Sequence, residues 1–541
     1  MSKYIQNKRV WILFTFVIIL FSILYVRIFQ FQFLSSKKLS VMADAQYSYR
    51  ENIETLNFML LDRNGKNLIS SINKYYVVIV PNDFKSNDFN TNSENILTLV
   101  YTLRNYNNDY DISKLNLSNK GQKTYLEVDK STYDKVKNIK SVKGVYAYTL
   151  SEMENKGSWS IESLLVNPRR LFDDSFKSED SLELKLYNKV KNNDKTQIVF
   201  EKDTAGNIIS ENIKYPENNI NVRLTIDKNI QQKISEVLQN TKYKNFKQIG
   251  VIMMETSTGK ILGMTQKDNL LPNVNIGAAT DNGFYPGSIF KVIVEEAALK
   301  SNAINLKDKF TCRGLYEDEH KNHGTLNSSE ALVVSCNDIY AQIGNKTGYK
   351  AIYSLAQQQG IFTKVLGFDS ELAGKTEIAE PKLSDGSISL VSMGQGMRIT
   401  PIEAISISNT VANGGVYVKP LLIDAYVDAK NNSEEKTITE KKNILDKNVA
   451  LTIKNQMIKV VEEGTAKGAT LNGIEIGGKT GTTQRNQFSD GWFTGFFKVN
   501  DKSYSMLVFV EDINKVTDSG GNTAAPIFRD IVNETKAILN N

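Results

Sequence analysis

The sequence predicts an α+β protein in three parts: a single N-terminal transmembrane helix, an elongated α+β pedestal domain, and a C-terminal domain in which an antiparallel sheet packs against helices. Three observations predict it. Val10 to Val26 is an unbroken run of 17 uncharged, strongly apolar residues between Arg9 and Arg27. Residues 34–222 alternate short β-like runs with polar breaks. After residue 222 the order is two strands, many helices, three strands and a closing helix. At 541 residues the chain is too long for one core, so several domains are expected.

Composition bounds the function. A net charge of +6 is small for this length, and no dense Lys/Arg block or aromatic-basic platform occurs, so no nucleic-acid partner is expected. Two cysteines are too few for a disulfide framework.

The apolar run is about the minimum for a membrane span and long for a signal-peptide core. Trp11 and Tyr25 fit interfacial anchoring. No small-residue cleavage site follows closely; Ala43-Asp44-Ala45 lies too far beyond. The expectation is a cytoplasmic leader over residues 1–9 and an uncleaved signal anchor over 10–33, with a buried core helix as the alternative. Lys3, Lys8 and Arg9 precede the span, and Arg27, Lys37 and Lys38 follow it, so flanking charge hardly chooses an orientation.

In residues 34–222, Tyr75–Val80 and Gln197–Phe200 read as strands and Glu94–Tyr106 as a helix. Asp62-Arg63-Asn64-Gly65 and Ala205-Gly206-Asn207 supply turn chemistry. No histidine and no glycine-rich phosphate loop occurs here, so this part reads as a non-catalytic spacer or docking region.

The C-terminal domain, 223–541, opens with a strand over Val222–Asp227 and a helix whose Ile230, Ile234, Val237 and Leu238 share a face. Ile249–Met254 and Ile261–Met264 form a hairpin; Gly477–Thr483, Gly491–Phe497 and Tyr504–Val510 add three strands; a helix closes from Ala525 to Leu539. Between them, Tyr285-Pro286-Gly287-Ser288-Ile289-Phe290-Lys291 reads as a helix start, placing Ser288 and Lys291 one turn apart. A serine needs a base to take its proton, and a desolvated lysine can serve. Alone, that pair is more often a solvated helix face. Ser335-Cys336-Asn337 can present a hydroxyl and an amide from a loop between helices. Gly477-Gly478-Lys479-Thr480-Gly481-Thr482-Thr483 reads as a strand with Lys479 and Gly481 on one face and Thr480 and Thr482 on the other. Gly481 would let another backbone come close.

In this order Ser-x-x-Lys, Ser-x-Asn and Lys-Thr-Gly resemble the motif set of the penicillin-binding proteins and serine β-lactamases. Tyr285–Lys291, Gly394-Gln395-Gly396 with Thr400-Pro401, and Lys479–Thr482 resemble the class B penicillin-binding proteins, including a clostridial type with zinc beside Ser-x-Asn. The resemblance is strong from about residue 222 onward and weak in the middle, where only Asp62–Gly65 and Asp203–Asn207 look familiar. It implies a penicillin-binding/β-lactamase-like transpeptidase fold without a glycosyltransferase domain. It implies catalytic roles for Ser288, Lys291, Ser335, Asn337 and Lys479, and substrate binding by Thr480, Gly481 and Thr482. Peptidoglycan stem peptides and β-lactams are the implied ligands, a polytopic glycosyltransferase the implied protein partner, and the outside of the cell membrane the implied place. No cofactor is expected for catalysis.

Cys312, His320, His323 and Cys336 gather every cysteine and histidine within 25 residues, with Asp318 beside them. Soft thiolate and imidazole ligands suit tetrahedral zinc, and a Cys312–Cys336 disulfide is the alternative. Two other functions are alternatives: a β-lactam sensor or β-lactamase-like hydrolase, which uses the same motifs, and a non-catalytic scaffold of division or sporulation with the same fold, against which the intact Ser288, Lys291 and Lys479 argue.

Overall fold

The computed structural model describes residues 2–114, 122–139, 141–154, 156–317, 321–485 and 487–540. The chain forms two compact units. One comprises Met1–Asn57, Ser71–Met153 and Asp194–Glu217; the other comprises Phe58–Ser70, Glu154–Asn193 and Asn218–Asn541.

The first unit begins with the helix Ser2–Phe29, followed by a wider turn over Gln30–Leu34 and a second helix, Ser36–Tyr47. The stretch Asn7–Leu34 is long and apolar enough to cross a membrane, and none of it is buried. The strand Ser71–Ile79 lies between Thr124–Val128 and Val145–Met153. The helix Ser93–Tyr106 lays Ile96, Leu99 and Leu103 into the core of that sheet, at the spacing of one helical stripe. A second sheet joins Ser48–Asn52, Gln197–Lys202 and Ile208–Lys214. Its hairpin turn is closed by the Asp203 carboxylate, which accepts from the N–H groups of Ala205 and Asn207.

The second unit draws in segments from before residue 222. Leu60–Leu61 pairs in parallel with Asn221–Leu224, which pairs in turn with Ile423–Val427. The strand expected at 222–227 therefore belongs to a small side sheet. The helices Ile161–Val166 and Leu182–Val190 bury Leu164, Leu165, Leu186 and Val190 in the large core. Short apolar segments gain more by joining a large core than by standing alone.

The central sheet has five strands: β1 (Gln248–Glu255), β2 (Ile261–Gln266), β3 (Ile476–Arg485), β4 (Phe488–Val499) and β5 (Lys502–Asn514). Their order is β2-β1-β5-β4-β3, antiparallel throughout, so β3 is an edge. Both faces are covered by helices, which is why the strands are continuous apolar runs instead of alternating ones. Around the sheet stand α1 (Lys228–Leu238), α2 (Lys291–Lys300), α3 (Asn337–Thr347), α4 (Pro401–Ala412), α5 (Lys447–Glu462) and α6 (Ala524–Leu539). Phe493 and Phe497 meet Phe528 of α6, while Thr494 on the opposite face of β4 bonds Ser408 of α4 at 2.8 Å. The hairpin, the three later strands, α1 with its four buried apolar residues and the closing helix match the pattern read from the sequence.

Candidate active site

Ser288 lies in a tight 3₁₀ turn, Gly287–Phe290, and α2 starts only at Lys291. The sequence pattern had the helix running through Ser288. The difference follows from Gly287, whose φ of +56° bends the entering chain. With three residues per turn, Ser288 and Lys291 still stack one above the other. Residues Ile289 to Ala298 are buried, so α2 is a core helix and Lys291 has no contact with water, while Ser288 is half-buried. Burial pulls the Lys291 amine down to about 7, against the opposing pull of Glu317 and Cys336.

Ser335 caps the helix Ser328–Val334 in the left-handed conformation, φ 60° and ψ 37°. A residue with a Cβ rarely adopts it, and such strain gathers at functional sites. Cys336 then caps α3, so Asn337 opens that helix. Lys291 Nζ donates to Ser335 O at 2.6 Å, to Asn337 Oδ1 at 2.6 Å and to Ser335 Oγ at 3.3 Å. Lys479, fully buried on β3, donates to Ser335 Oγ at 2.9 Å and to Thr480 O at 3.0 Å. Burial and the neighbouring Lys291 hold the Lys479 amine well below the usual lysine range. Lys291, Ser335, Asn337 and Lys479 thus form one hydrogen-bonded group. Ser288 adjoins it through the turn, and among the described residues its hydroxyl makes no hydrogen bond to the group.

Two glycines allow the approach. A Cβ at Gly481 would lie 2.7 Å from Pro286 O, so glycine lets β3 come against the Ser288 turn. Gly394, in the Gly-Gln-Gly segment, accepts from Gly287 N–H through its carbonyl at 3.1 Å and leaves no room for a Cβ. Thr480 is buried with Oγ1 2.7 Å from Thr465 Oγ1, and exposed Thr482 accepts from Gly520 N–H at 3.0 Å.

Cys312, Glu317, His323 and Cys336 bring four ligand atoms within 4.8 Å of one another. Cys312 Sγ and Glu317 Oε1 each lie 3.8 Å from His323 Nδ1. Tetrahedral zinc with bonds near 2.1–2.3 Å has ligand–ligand edges of about 3.4–3.8 Å, so this donor set fits the ion. Both cysteines are buried free thiols, and burial pushes that of Cys336 up, which a metal would reverse. Asp318 and His320 lie outside the described residues. The carboxylate brought to the cluster is their neighbour Glu317, whose Oε1 also accepts from the N–H groups of Asn337 at 2.6 Å and Asp338 at 3.2 Å. Glu317 was not among the ligands expected from the sequence. Thr465 and Gly520 had no signal at all, being joined to β3 only by the fold.

The sequence profile of the penicillin-binding protein transpeptidase domain matches residues 249–533, more than half of the chain. Stage V sporulation protein D of Bacillus subtilis is 25% identical, over 99% of this chain and 86% of its own length. A peptidoglycan D,D-transpeptidase FtsI homolog of Mesostigma viride is 24% identical, over 94% and 92%. Penicillin-binding protein A from Mycobacterium tuberculosis, solved as a ceftriaxone acyl-enzyme, is 25% identical over 58% of this chain and 80% of that one, with a TM-score of 0.51. A peptidoglycan synthetase from Bifidobacterium adolescentis shares the fold, with a TM-score of 0.60, 19% identity and coverage of 90% of this chain and 95% of that one. Together with the convergence of the three motifs on one buried lysine pair, this match means that the chain belongs to the penicillin-binding protein transpeptidase family, among its class B members.

Proposed function

We propose that the chain is a membrane-anchored, monofunctional serine D,D-transpeptidase that cross-links peptidoglycan stem peptides through an acyl-enzyme on Ser288, and that β-lactams acylate the same serine. The observation that carries this reading is Lys291: a buried amine with its pKa near 7, one turn from the Ser288 hydroxyl. An amine held that low can be neutral, and so free to act as a base, near neutral pH.

Ser288 Oγ attacks the carbonyl carbon between the two D-alanines, and its proton passes to Lys291. The backbone N–H groups of Ser288 and Thr482 take the developing oxyanion, at about 3 kcal/mol per donor. Asn337 bonds the substrate amide, and Thr480 and Thr482 hold the terminal carboxylate. The C–N bond breaks as a proton returns through Ser335 and Lys479 to the leaving amine. An amine from a neighbouring strand then attacks the ester, gives up its proton and frees Ser288. Peptidoglycan lies outside the cytoplasmic membrane, so the apolar helix is a single-pass anchor and the catalytic unit is extracellular. A polytopic glycosyltransferase would supply the glycan strands.

A fluorescent penicillin should label the protein, and Ser288→Ala should abolish labelling with no loss of folded protein. Undiminished labelling of that variant overturns the reading. Release of the label over hours fits a transpeptidase, whereas rapid turnover would make the protein a β-lactamase.

Zinc is the ion that the Cys312, Glu317, His323 and Cys336 set would hold. When bound it would neutralise two thiolates and tie the loops that present Ser335 and Asn337. Elemental analysis should find about one zinc per chain. Chelation should lower the melting temperature and slow acylation. Metal-free protein with normal acylation, or a Cys312–Cys336 disulfide in the folded protein, would end this assignment.

A further inference from the structure

The loop between the helices Ile161–Val166 and Leu182–Val190 doubles back on itself. Arg170 N–H donates to Ser175 O at 2.8 Å and Lys177 N–H to Pro168 O at 2.9 Å, which sets Leu171 and Phe172 near the tip. Two ion pairs fasten this hairpin. Arg170 donates to the Asp369 carboxylate at 2.9 and 3.2 Å. Lys177 Nζ lies 2.9 Å from Glu183 Oε1, and Glu183 Oε2 accepts from Asp369 N–H at 3.1 Å. Between the hairpin, the helix Ile161–Val166 and Asp369-Ser370 lies a cavity of about 190 Å³.

Much of its wall is apolar, from Trp159, Leu164, Leu171 and Phe172. Phe172 is 95% exposed, a ring left facing water at the edge of an apolar wall. An apolar cavity of about 150 Å³ holds benzene, so this one has room for a single ring and a small substituent. Two polar side chains of the wall are incompletely bonded. Lys177 is only 7% exposed and gives two of its three protons, to Glu183 and at 3.1 Å to Leu164 O. The third has no partner among the described residues. Ser370 Oγ is buried, also without a partner among them. Buried donors left unpaired are costly, and one acceptor oxygen in the cavity would satisfy both. Arg170 and Lys177 are each matched by a carboxylate, so the site carries no net charge and favours a neutral ligand over an ion.

We propose that this cavity is a binding site for a neutral aryl carbonyl compound, its ring against Trp159 and Leu164 and its oxygen between Lys177 Nζ and Ser370 Oγ. None of these residues belongs to the Ser288 group, so the site stands or falls apart from the acyl-transfer reading.

The probes are 4-fluorobenzamide and 4-fluorobenzoate, which share a ring and differ in charge. Their binding to the full chain would be titrated by fluorine NMR, with thermal denaturation to check that each variant is folded. The amide should bind saturably, and about tenfold more tightly than the carboxylate. Ser370→Ala removes one hydroxyl and should weaken the amide about fivefold, the worth of one neutral hydrogen bond. Ser163→Phe, which brings a ring into the cavity from a half-buried position on its wall, should abolish binding. Absence of saturable amide binding, or amide binding that Ser370→Ala and Ser163→Phe both leave intact, overturns the proposal. Carboxylate binding as tight as that of the amide overturns the neutral ligand class.

Discussion

Lys291→Met should slow acylation by a fluorescent penicillin by about 10³-fold at pH 7.5, the scale expected when a positioned general base is removed. The fold should survive, because Lys291 is fully buried and methionine fills a similar volume without a group to desolvate. The wild-type pH profile gives the same test from the other side. Burial depresses the Lys291 amine to about 7, Glu317 and Cys336 pull it upward, and Lys321 pulls it down. A depressed amine is protonated, and idle as a base, below that value. Acylation should therefore rise as pH passes through about 7 and level off above it. A rate that is flat from pH 5 to 9, or a rise delayed to the ordinary lysine range near 10.4, would remove Lys291 from the role of base.

Gly394→Ala should cost both stability and activity. Gly394 has φ +76°, where a side chain adds about 1–2 kcal/mol of strain. A Cβ there would also lie 2.0 Å from Gly287 O and 2.7 Å from Gly287 Cα. These are backbone atoms one residue from Ser288, so relief requires the Ser288 turn to move. A shift of about 1 Å is worth about 10²-fold in rate. Gly473→Ala is the control: φ is +78° but nothing stands within 4 Å of its Cβ. It should show the conformational penalty in thermal denaturation and keep its acylation rate. Equal behaviour of the two variants would show that the Gly394 contact does not position Ser288.

Much of the catalytic unit was legible because its elements are long and locally consistent. The apolar stripe of α1, the near-continuous apolar strands β1, β4 and β5, and the break at Pro286-Gly287 each follow from neighbours in the chain. The three motifs were legible as chemistry, since a serine, a lysine and an edge strand at those positions have few other joint uses. Less was legible where a residue's surroundings come from afar. Leu60–Leu61 is a two-residue strand whose partner lies some 160 residues on, and no local period announces it. The helices at Ile161–Val166 and Leu182–Val190 are short amphipathic pieces that look alike in a spacer or a core. The part played by Glu317 was not legible: the Asn337 and Asp338 N–H groups converge on its carboxylate from some 20 residues further along the chain.

By itself, the sequence determined the Ser-x-x-Lys, Ser-x-Asn and Lys-Thr-Gly side chains, their order, and the apolar helix near its N-terminus. Those properties are carried by residue identity and short-range spacing. Tertiary structure alone decided that Lys291 and Lys479 share the Ser335 hydroxyl out of reach of water, and that Thr465 reaches Thr480. Desolvation and convergence depend on what the rest of the chain packs around a residue, and spacing along the chain does not encode them.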